Sequence, residues 1–272
     1  MNDSWPDLRF IAASIHLRDH RADENGRMRC SCEASRARAS IHLAGNRRMR
    51  MRTKLYLTIS VFACLLIAAG ATTSFAQLGG REAPDWIQRL ERPDRLAGLK
   101  IEEVVQRLAL KPGMVVADIG AGSGVFSRPF AKAVGPTGKV YAVDIDQGLL
   151  DHINQRARQE NISNIRTVLG KFEDPAIPAK DVDMAFIHDV LHHIEQREAY
   201  LKALATYIKP QGMITIIEMD RNDPNTAHRA EPEMLVSRAD VDKWMASLGF
   251  HPAKEHNDLF PGTKWFVIYQ KH

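Results

Sequence analysis

Residues 96–272 predict a doubly wound α/β fold: a mainly parallel, seven-stranded Rossmann-like sheet with helices on both faces and a C-terminal antiparallel hairpin. Three observations predict it. Short apolar runs alternate with stretches of helical periodicity, which implies right-handed crossovers between parallel strands. The runs are apolar throughout rather than alternating, as in strands covered on both faces. The first run also enters a loop with a glycine at every second position, and the second run ends on a carboxylate.

Taken in order, Leu96, Leu99, Ile101, Val104, Val105 and Leu108 recur at helical spacing, so one helix is expected over residues 96–108. Lys111-Pro112-Gly113 stops it, because proline cannot continue a helix and glycine tolerates the turn. Residues 114–119 read as the first strand and residues 125–134 as a helix. A Gly135-Pro-Thr-Gly138 turn leads to a strand over residues 139–144. The next helix carries Leu149, Leu150, Ile153 and Ala157 on one face. Strands follow at residues 165–169 and 182–188, then a helix over residues 195–208, which Lys209-Pro210-Gln-Gly212 is expected to break. A strand over residues 213–219, a helix over residues 236–248 and two closing strands at residues 252–257 and 264–269 complete the pattern, with Pro261-Gly262 as the last turn.

Charge divides the 272-residue chain. Residues 1–76 carry 12 Lys and Arg against 6 Asp and Glu, whereas the remainder carries 25 against 27. The basic balance therefore belongs to the N-terminal segment, and no nucleic-acid partner is expected for the α/β domain. Cys30, Cys32 and Cys64 all precede residue 77, so the domain has no thiol for a disulfide, a cysteine-ligated metal or a nucleophile.

The Met49-Arg-Met-Arg-Thr-Lys54 start, an apolar run and Ser74-Phe75-Ala76 match the three regions of a secretory signal peptide. An uncleaved membrane anchor through residues 55–76 is the alternative, since the uncharged run continues to Gly80. Export to a periplasmic or extracellular site, or anchoring, is therefore expected, with a cytoplasmic location as the alternative. Residues 1–48 are arginine-rich and aperiodic and would put that signal in mid-chain, so translation is expected to begin at Met49 or Met51. The organisation expected is an extension over 1–48, the signal or anchor over 49–76, a linker or short helix over 77–95, and the α/β domain over 96–272.

The chemistry-bearing segment is Asp118-Ile-Gly120-Ala-Gly122-Ser-Gly124, with Asp144 ending the next strand. Glycines there let the backbone turn sharply and approach a ligand closely, and the terminal acid can accept from both hydroxyls of a ribose. A dinucleotide site would want a glycine where Val125 stands, and Asp118 would repel a pyrophosphate. The carboxylate suits a cation better.

This ordered set resembles motifs I and II of class I S-adenosylmethionine (SAM) dependent methyltransferases. The similarity extends to Leu110-Lys-Pro-Gly113, Leu169-Gly170-Lys-Phe-Glu173-Asp174-Pro175 and Leu191-His192-His193. The resemblance implies SAM as cofactor, with Gly120, Gly122 and Gly124 shaping the loop under its methionine part and Asp118 holding its amino end. It implies Asp144 on the ribose, Ile145 against the adenine, and Glu173 or Asp174 facing the adenine amino group. Where the family often has an acid directly after the glycine of that last segment, this chain has Lys171.

His188, Asp189 and His192 follow the fourth strand, on the side that faces the methyl group in this family. His188 and His192 lie four apart, so a helical turn would bring them together. They are candidates for a general base with its orienter or, less simply, for metal ligands; the reading adopted assigns proton transfer or positioning and no metal. Glu218, Asp220, His228 and Arg229 are candidates to line the site. The expected activity is methyl transfer to a small-molecule acceptor. The rivals are an NAD(P)-dependent oxidoreductase and an exported, non-catalytic binding protein with the same fold.

Overall fold

A computed structural model of the chain describes residues 82–271. The expected signal or anchor segment and the expected extension before it lie outside the described residues. Among the described residues, no helix is long and apolar enough to cross a membrane.

Three short helices lead into the sheet: α1 (Ala83–Leu90), α2 (Pro93–Leu99) and α3 (Ile101–Leu108). Both α1 and α2 start with proline in the first turn, where its missing N–H costs nothing. The single helix expected over residues 96–108 is therefore two. Lys100 takes a left-handed conformation between them (φ 48°) and donates from Nζ to the Leu259 carbonyl at 2.7 Å. A tertiary contact across 159 residues breaks a periodicity that the local sequence carries through unbroken.

The remaining elements are β1 (Val115–Ile119), α4 (Ser127–Val134), β2 (Lys139–Asp144), α5 (Gln147–Gln159), β3 (Ile165–Leu169), β4 (Val182–His188), α6 (Arg197–Ala205), β5 (Ile208–Met219), α7 (Arg238–Ser247), β6 (Phe250–Glu255) and β7 (Lys264–Lys271). A 3₁₀ turn at Leu191–His193 separates β4 from α6. Helix α5 begins at Asp146, whose side chain accepts from the Gly148 and Leu149 N–H groups at 2.7 and 3.2 Å. It buries Leu149, Leu150, Ile153 and Ala157, the face expected from their spacing.

The seven strands are ordered β3-β2-β1-β4-β5-β7-β6. The first five are parallel, and β7 runs antiparallel to both β5 and β6. The chain moves outward from β1 to β3, then returns to place β4 on the other side of β1. The carboxyl ends of β1 and β4 thus flank the topological switch point, the place where such sheets leave a crevice for ligands.

The sheet is covered on both faces. Ala117, Ile119, Ala185 and Ile187 face Tyr200, Leu201 and Leu204 of α6 and Val241 and Met245 of α7. Val116, Met184 and Phe186 face Val104 and Leu108 of α3 and Phe130 and Val134 of α4. Burying each such side chain contributes about 1.5–3 kcal/mol. Strand β5 starts at Ile208, so Lys209-Pro210-Gln-Gly212 runs in the sheet instead of interrupting it. A register shift opposite Val182 and Met184 accommodates this stretch. Gly212 passes 3.1 Å, measured from an ideal Cβ, from the carbonyls of Val182 and Asp183, so close approach explains a glycine that reads locally as a breaker.

Candidate functional site

The glycine loop follows β1 directly. Gly120, Gly122 and Gly124 all have left-handed backbones, with φ of 66°, 56° and 75°. A Cβ on Gly120 would overlap the Val190 side chain, and one on Gly124 would come within 2.8 Å of Ile153 Cγ1. Both positions therefore demand glycine for conformation and for space.

Two buried carboxylates organise the loop. Asp144, at the end of β2, accepts from the Gly122 N–H at 2.8 Å on one oxygen and from the Asp146 N–H at 3.0 Å on the other. Asp118, at the end of β1, accepts from the Ser127 hydroxyl at 2.5 Å. Burial pushes Asp118 up to about 7, against the hydrogen bond from Ser127 and with added repulsion from Asp144. Burial likewise raises Asp144 to about 6, although backbone donors at Asp146 and Gly122 oppose it. A pair of desolvated acids that resist ionisation is a site prepared for a cation.

Leu90, Arg95, Asp118, Gly120, Gly122 and His188 border a cavity of about 40 Å³ beside the loop. The turn after α1 reaches over it: Leu90 Cδ1 lies 3.0 Å from the position of a Cβ on Gly122, and Glu91 Oε1 accepts from His152 Nε2 at 3.0 Å. Arg95, in α2, donates to the Leu90 carbonyl at 3.1 Å, and burial lowers its pKa despite the charge of Asp189.

His188 ends β4 among the rings of Phe126, Phe186 and Phe260, with centroids at 5.1, 6.1 and 6.4 Å. Burial lowers its pKa to about 3, so it is neutral. Nδ1 lies 3.3 Å from Asp189 Oδ2, and Nε2 is buried without a hydrogen-bond partner. Asp189 has a left-handed backbone (φ 53°) and pairs with Lys264. Burial acts to raise Asp189, but His188 and Lys264 outweigh it and hold the carboxyl below the ordinary range.

His192 does not join that pair. The four-residue spacing does not act as a helical turn, because His188 belongs to a strand and only Leu191–His193 form a 3₁₀ turn. His192 Nδ1 instead meets Glu218 Oε1 at 2.8 Å, and the His192 N–H donates to Glu218 Oε2 at 3.3 Å. Glu218 is fully buried at the end of β5.

In the segment after β3, Asp174 accepts from the Ala176 N–H at 2.7 Å and from the Tyr207 hydroxyl at 2.8 Å, while Glu173 is exposed. Ile145 is half-buried beside Asp144, and Leu169, which pairs with Asp144 across β2 and β3, is 52% exposed. Sequence reasoning missed Ser127, Arg95 and Lys264. Ser127 lies nine residues after Asp118 and carried a local signal, but Arg95 and Lys264 reach the site only through tertiary folding.

The geometry agrees with known proteins. Residues 116–212 match the family model described as a methyltransferase domain. The ubiquinone/menaquinone biosynthesis C-methyltransferase UbiE of Ectopseudomonas mendocina is 28% identical over 164 residues, spanning 56% of this chain and 64% of that protein. UbiE of Burkholderia vietnamiensis is 30% identical over 112 residues, or 41% and 46% of the two chains. This chain thus covers less than two thirds of either relative's length. Among solved structures, a SAM-dependent methyltransferase from Aquifex aeolicus superposes with a TM-score of 0.62 at 22% identity, covering 71% of this chain and all of that one. The Burkholderia thailandensis 1,6-didemethyltoxoflavin-N1-methyltransferase, with 1,6-didemethyltoxoflavin and S-adenosylhomocysteine bound, gives 0.55 at 17% identity over 72% and 88% of the chains. The matched loop lies within a stretch that carries the signature of a methyltransferase domain, and the strand order gives the chain the fold of SAM-dependent methyltransferases.

Proposed function

We propose that the protein transfers the methyl group of SAM to a small-molecule acceptor. The observation that carries this reading is the glycine cradle with its two raised carboxylates, Asp118 and Asp144, at the switch point. The residues present fit the cofactor. The three left-handed glycines let the backbone turn tightly at the carboxyl end of β1, and the acid pair favours an ammonium or sulfonium over a pyrophosphate. SAM supplies an activated methyl on a cationic sulfur, which becomes a neutral thioether when the methyl passes to the acceptor.

The chain's residues then have positional tasks. Asp144 accepts from the ribose hydroxyls while its hydrogen bond to Gly122 fixes the loop. Asp118 holds the amino end, oriented by Ser127. Ile145 and the exposed Leu169 offer apolar surface to the adenine beside Asp144. Glu173 faces solvent and is the freer of the two acids for the adenine amino group, since Asp174 already holds two donors. Neutral His188 offers Nε2 as an unfilled hydrogen-bond acceptor; with a pKa of about 3 it is too weak a base to take a proton near neutrality. Asp189 and Lys264 fix its orientation. The rate enhancement then comes chiefly from alignment and exclusion of water.

The UbiE relatives make a quinone-type ring the first acceptor class to assay. Calorimetry decides the cofactor: micromolar binding of SAM or S-adenosylhomocysteine to the purified protein is expected. Binding of NAD(P)H by a folded sample that ignores both would overturn the reading in favour of the oxidoreductase.

We further propose export, on the basic start and small-residue end of residues 49–76. Mass spectrometry of the native protein is expected to find a chain beginning near Gln77, or at Met49 or Met51 if the segment stays as an anchor. A peptide from residues 1–48 in the native protein would sink the expected start.

A further inference from the structure

We propose that His192, His193 and His228 form a mononuclear site for a divalent transition cation of the zinc class, with a fourth position open on the solvent side. The reading goes beyond methyl transfer and does not rest on it. It also departs from the sequence expectation of no metal.

One ligand atom from each of the three rings lies within 4.8 Å of the others. Ring centroids are 4.0 Å apart for His192 and His193, 5.0 Å for His192 and His228, and 5.9 Å for His193 and His228. Metal–nitrogen bonds of about 2.0–2.1 Å in a tetrahedron put ligand nitrogens about 3.4 Å apart. Closing the set therefore takes modest side-chain rotation. The rotation falls on the less buried rings, since His193 is exposed and His228 half-buried.

Carboxylates already stand behind two of the three rings. His192 Nδ1 meets Glu218 Oε1 and His228 Nδ1 meets Glu231 Oε2, each at 2.8 Å. A carboxylate on one ring nitrogen fixes the tautomer and presents the other, Nε2, as a lone pair, the arrangement that orients metal-bound histidines. Glu218 supplies an independent reason. It is fully buried, and its hydrogen-bond donors are the His192 ring, the His192 N–H and the Met219 N–H at 2.9 Å. A cation on the far side of the His192 ring would face this carboxylate through the imidazole, the carboxylate–histidine–metal arrangement.

The backbone is pinned too. The Arg197 guanidinium donates to the carbonyls of Leu191 and His192 and to those of Glu233 and Met234, at 3.1–3.2 Å. One side chain thereby ties the 3₁₀ turn bearing His192 and His193 to the loop that carries His228. Three neutral imidazoles without thiolate or carboxylate in the first set select Zn²⁺, Co²⁺, Ni²⁺ or Cu²⁺ over Mg²⁺ and Ca²⁺. Three protein ligands with one open position is the pattern of sites that bind water or a substrate atom.

The test uses the full chain, stripped by chelator and titrated with Co²⁺, then with Zn²⁺ as competitor. A single site with the visible bands of tetrahedral cobalt, displaced by Zn²⁺, is expected. His193→Ala and His228→Ala should each weaken binding at least tenfold. Glu231→Gln, at an exposed carboxylate, should weaken it about 10–100-fold without touching a ligand. Unfolding midpoints of these surface variants confirm that each is folded. Binding by the wild type no tighter than by His193→Ala/His228→Ala would overturn the proposal. So would thiolate charge-transfer bands that the histidine variants leave unchanged, since they would place the metal on Cys30, Cys32 or Cys64.

Discussion

Asp144→Ala is expected to weaken SAM binding by at least about 100-fold while the domain stays folded. In the proposed complex the carboxylate accepts from two ribose hydroxyls, and a hydrogen bond to a charged acceptor contributes about 1.5–3 kcal/mol. Losing both removes about 3 kcal/mol or more, which is the stated factor. The same carboxylate tethers the loop through Gly122 at 2.8 Å, so the substitution also loosens the cradle. Stability should suffer less than binding. Asp144 is buried and raised to about 6, so its ionised form at neutral pH already carries a desolvation penalty that alanine lacks. Against this stands the loss of acceptors for the Gly122 and Asp146 N–H groups. The net change in unfolding free energy is expected to stay within about 2 kcal/mol. Asp144→Asn keeps one carbonyl acceptor and should fall between the two. Calorimetry and thermal unfolding on the same samples separate the effects. A folded Asp144→Ala protein with unchanged affinity would remove the ribose from β2 and with it the assignment of the loop.

What the sequence disclosed follows from the range over which each signal acts. Strands β1, β2 and β4 were legible because both faces are covered, so each is mostly apolar, whereas the edge strand β3, with Arg166 and Leu169 exposed, was marked by its β-branched residues. The cradle was legible because left-handed glycines and the acids ending β1 and β2 sit at fixed local spacing. Helix α5 was legible through its four buried residues, while its Asp146 cap emerged only with the structure. Signals made by distant contacts were not. The break at Lys100 depends on Leu259, and the strand character of Lys209-Pro210-Gln-Gly212 depends on β4. Asp189 could be marked as chemically suggestive, but Lys264, its partner 75 residues away, could not. The histidine cluster shows the limit most plainly. His192 and His193 were noticed as a pair and His228 as a loop residue, yet only the fold brings them together and sets Glu218 behind His192.

The acid pair also makes cofactor binding depend on pH, with a sign that can be worked out. Asp118 and Asp144 titrate at about 7 and about 6, above the ordinary carboxylate range. A carboxylate raised on folding contributes stability that is present below its unfolded pKa and lost as pH rises through its folded pKa. The free domain therefore loses this contribution between about pH 4 and about pH 7. A cationic ligand reverses the preference, because it favours the ionised acids and lowers their pKa. Binding should release protons, and SAM affinity should rise with pH until both acids are ionised. If only the form with Asp118 ionised binds, affinity falls about tenfold per pH unit below 7 and levels off above about 8. Because Asp144 repels Asp118, the two are expected to titrate as a pair, giving a transition broader than that of one group. Calorimetry from pH 5.5 to 8.5, in buffers of different ionisation heat, reads both the affinity and the protons released. Asp118→Asn should flatten the profile around pH 7, since the amide cannot ionise, while binding weakens at all pH values. A flat profile in the wild type, with no proton release, would mean that these carboxylates do not face the cofactor's positive charge, and the cradle would then need a neutral occupant.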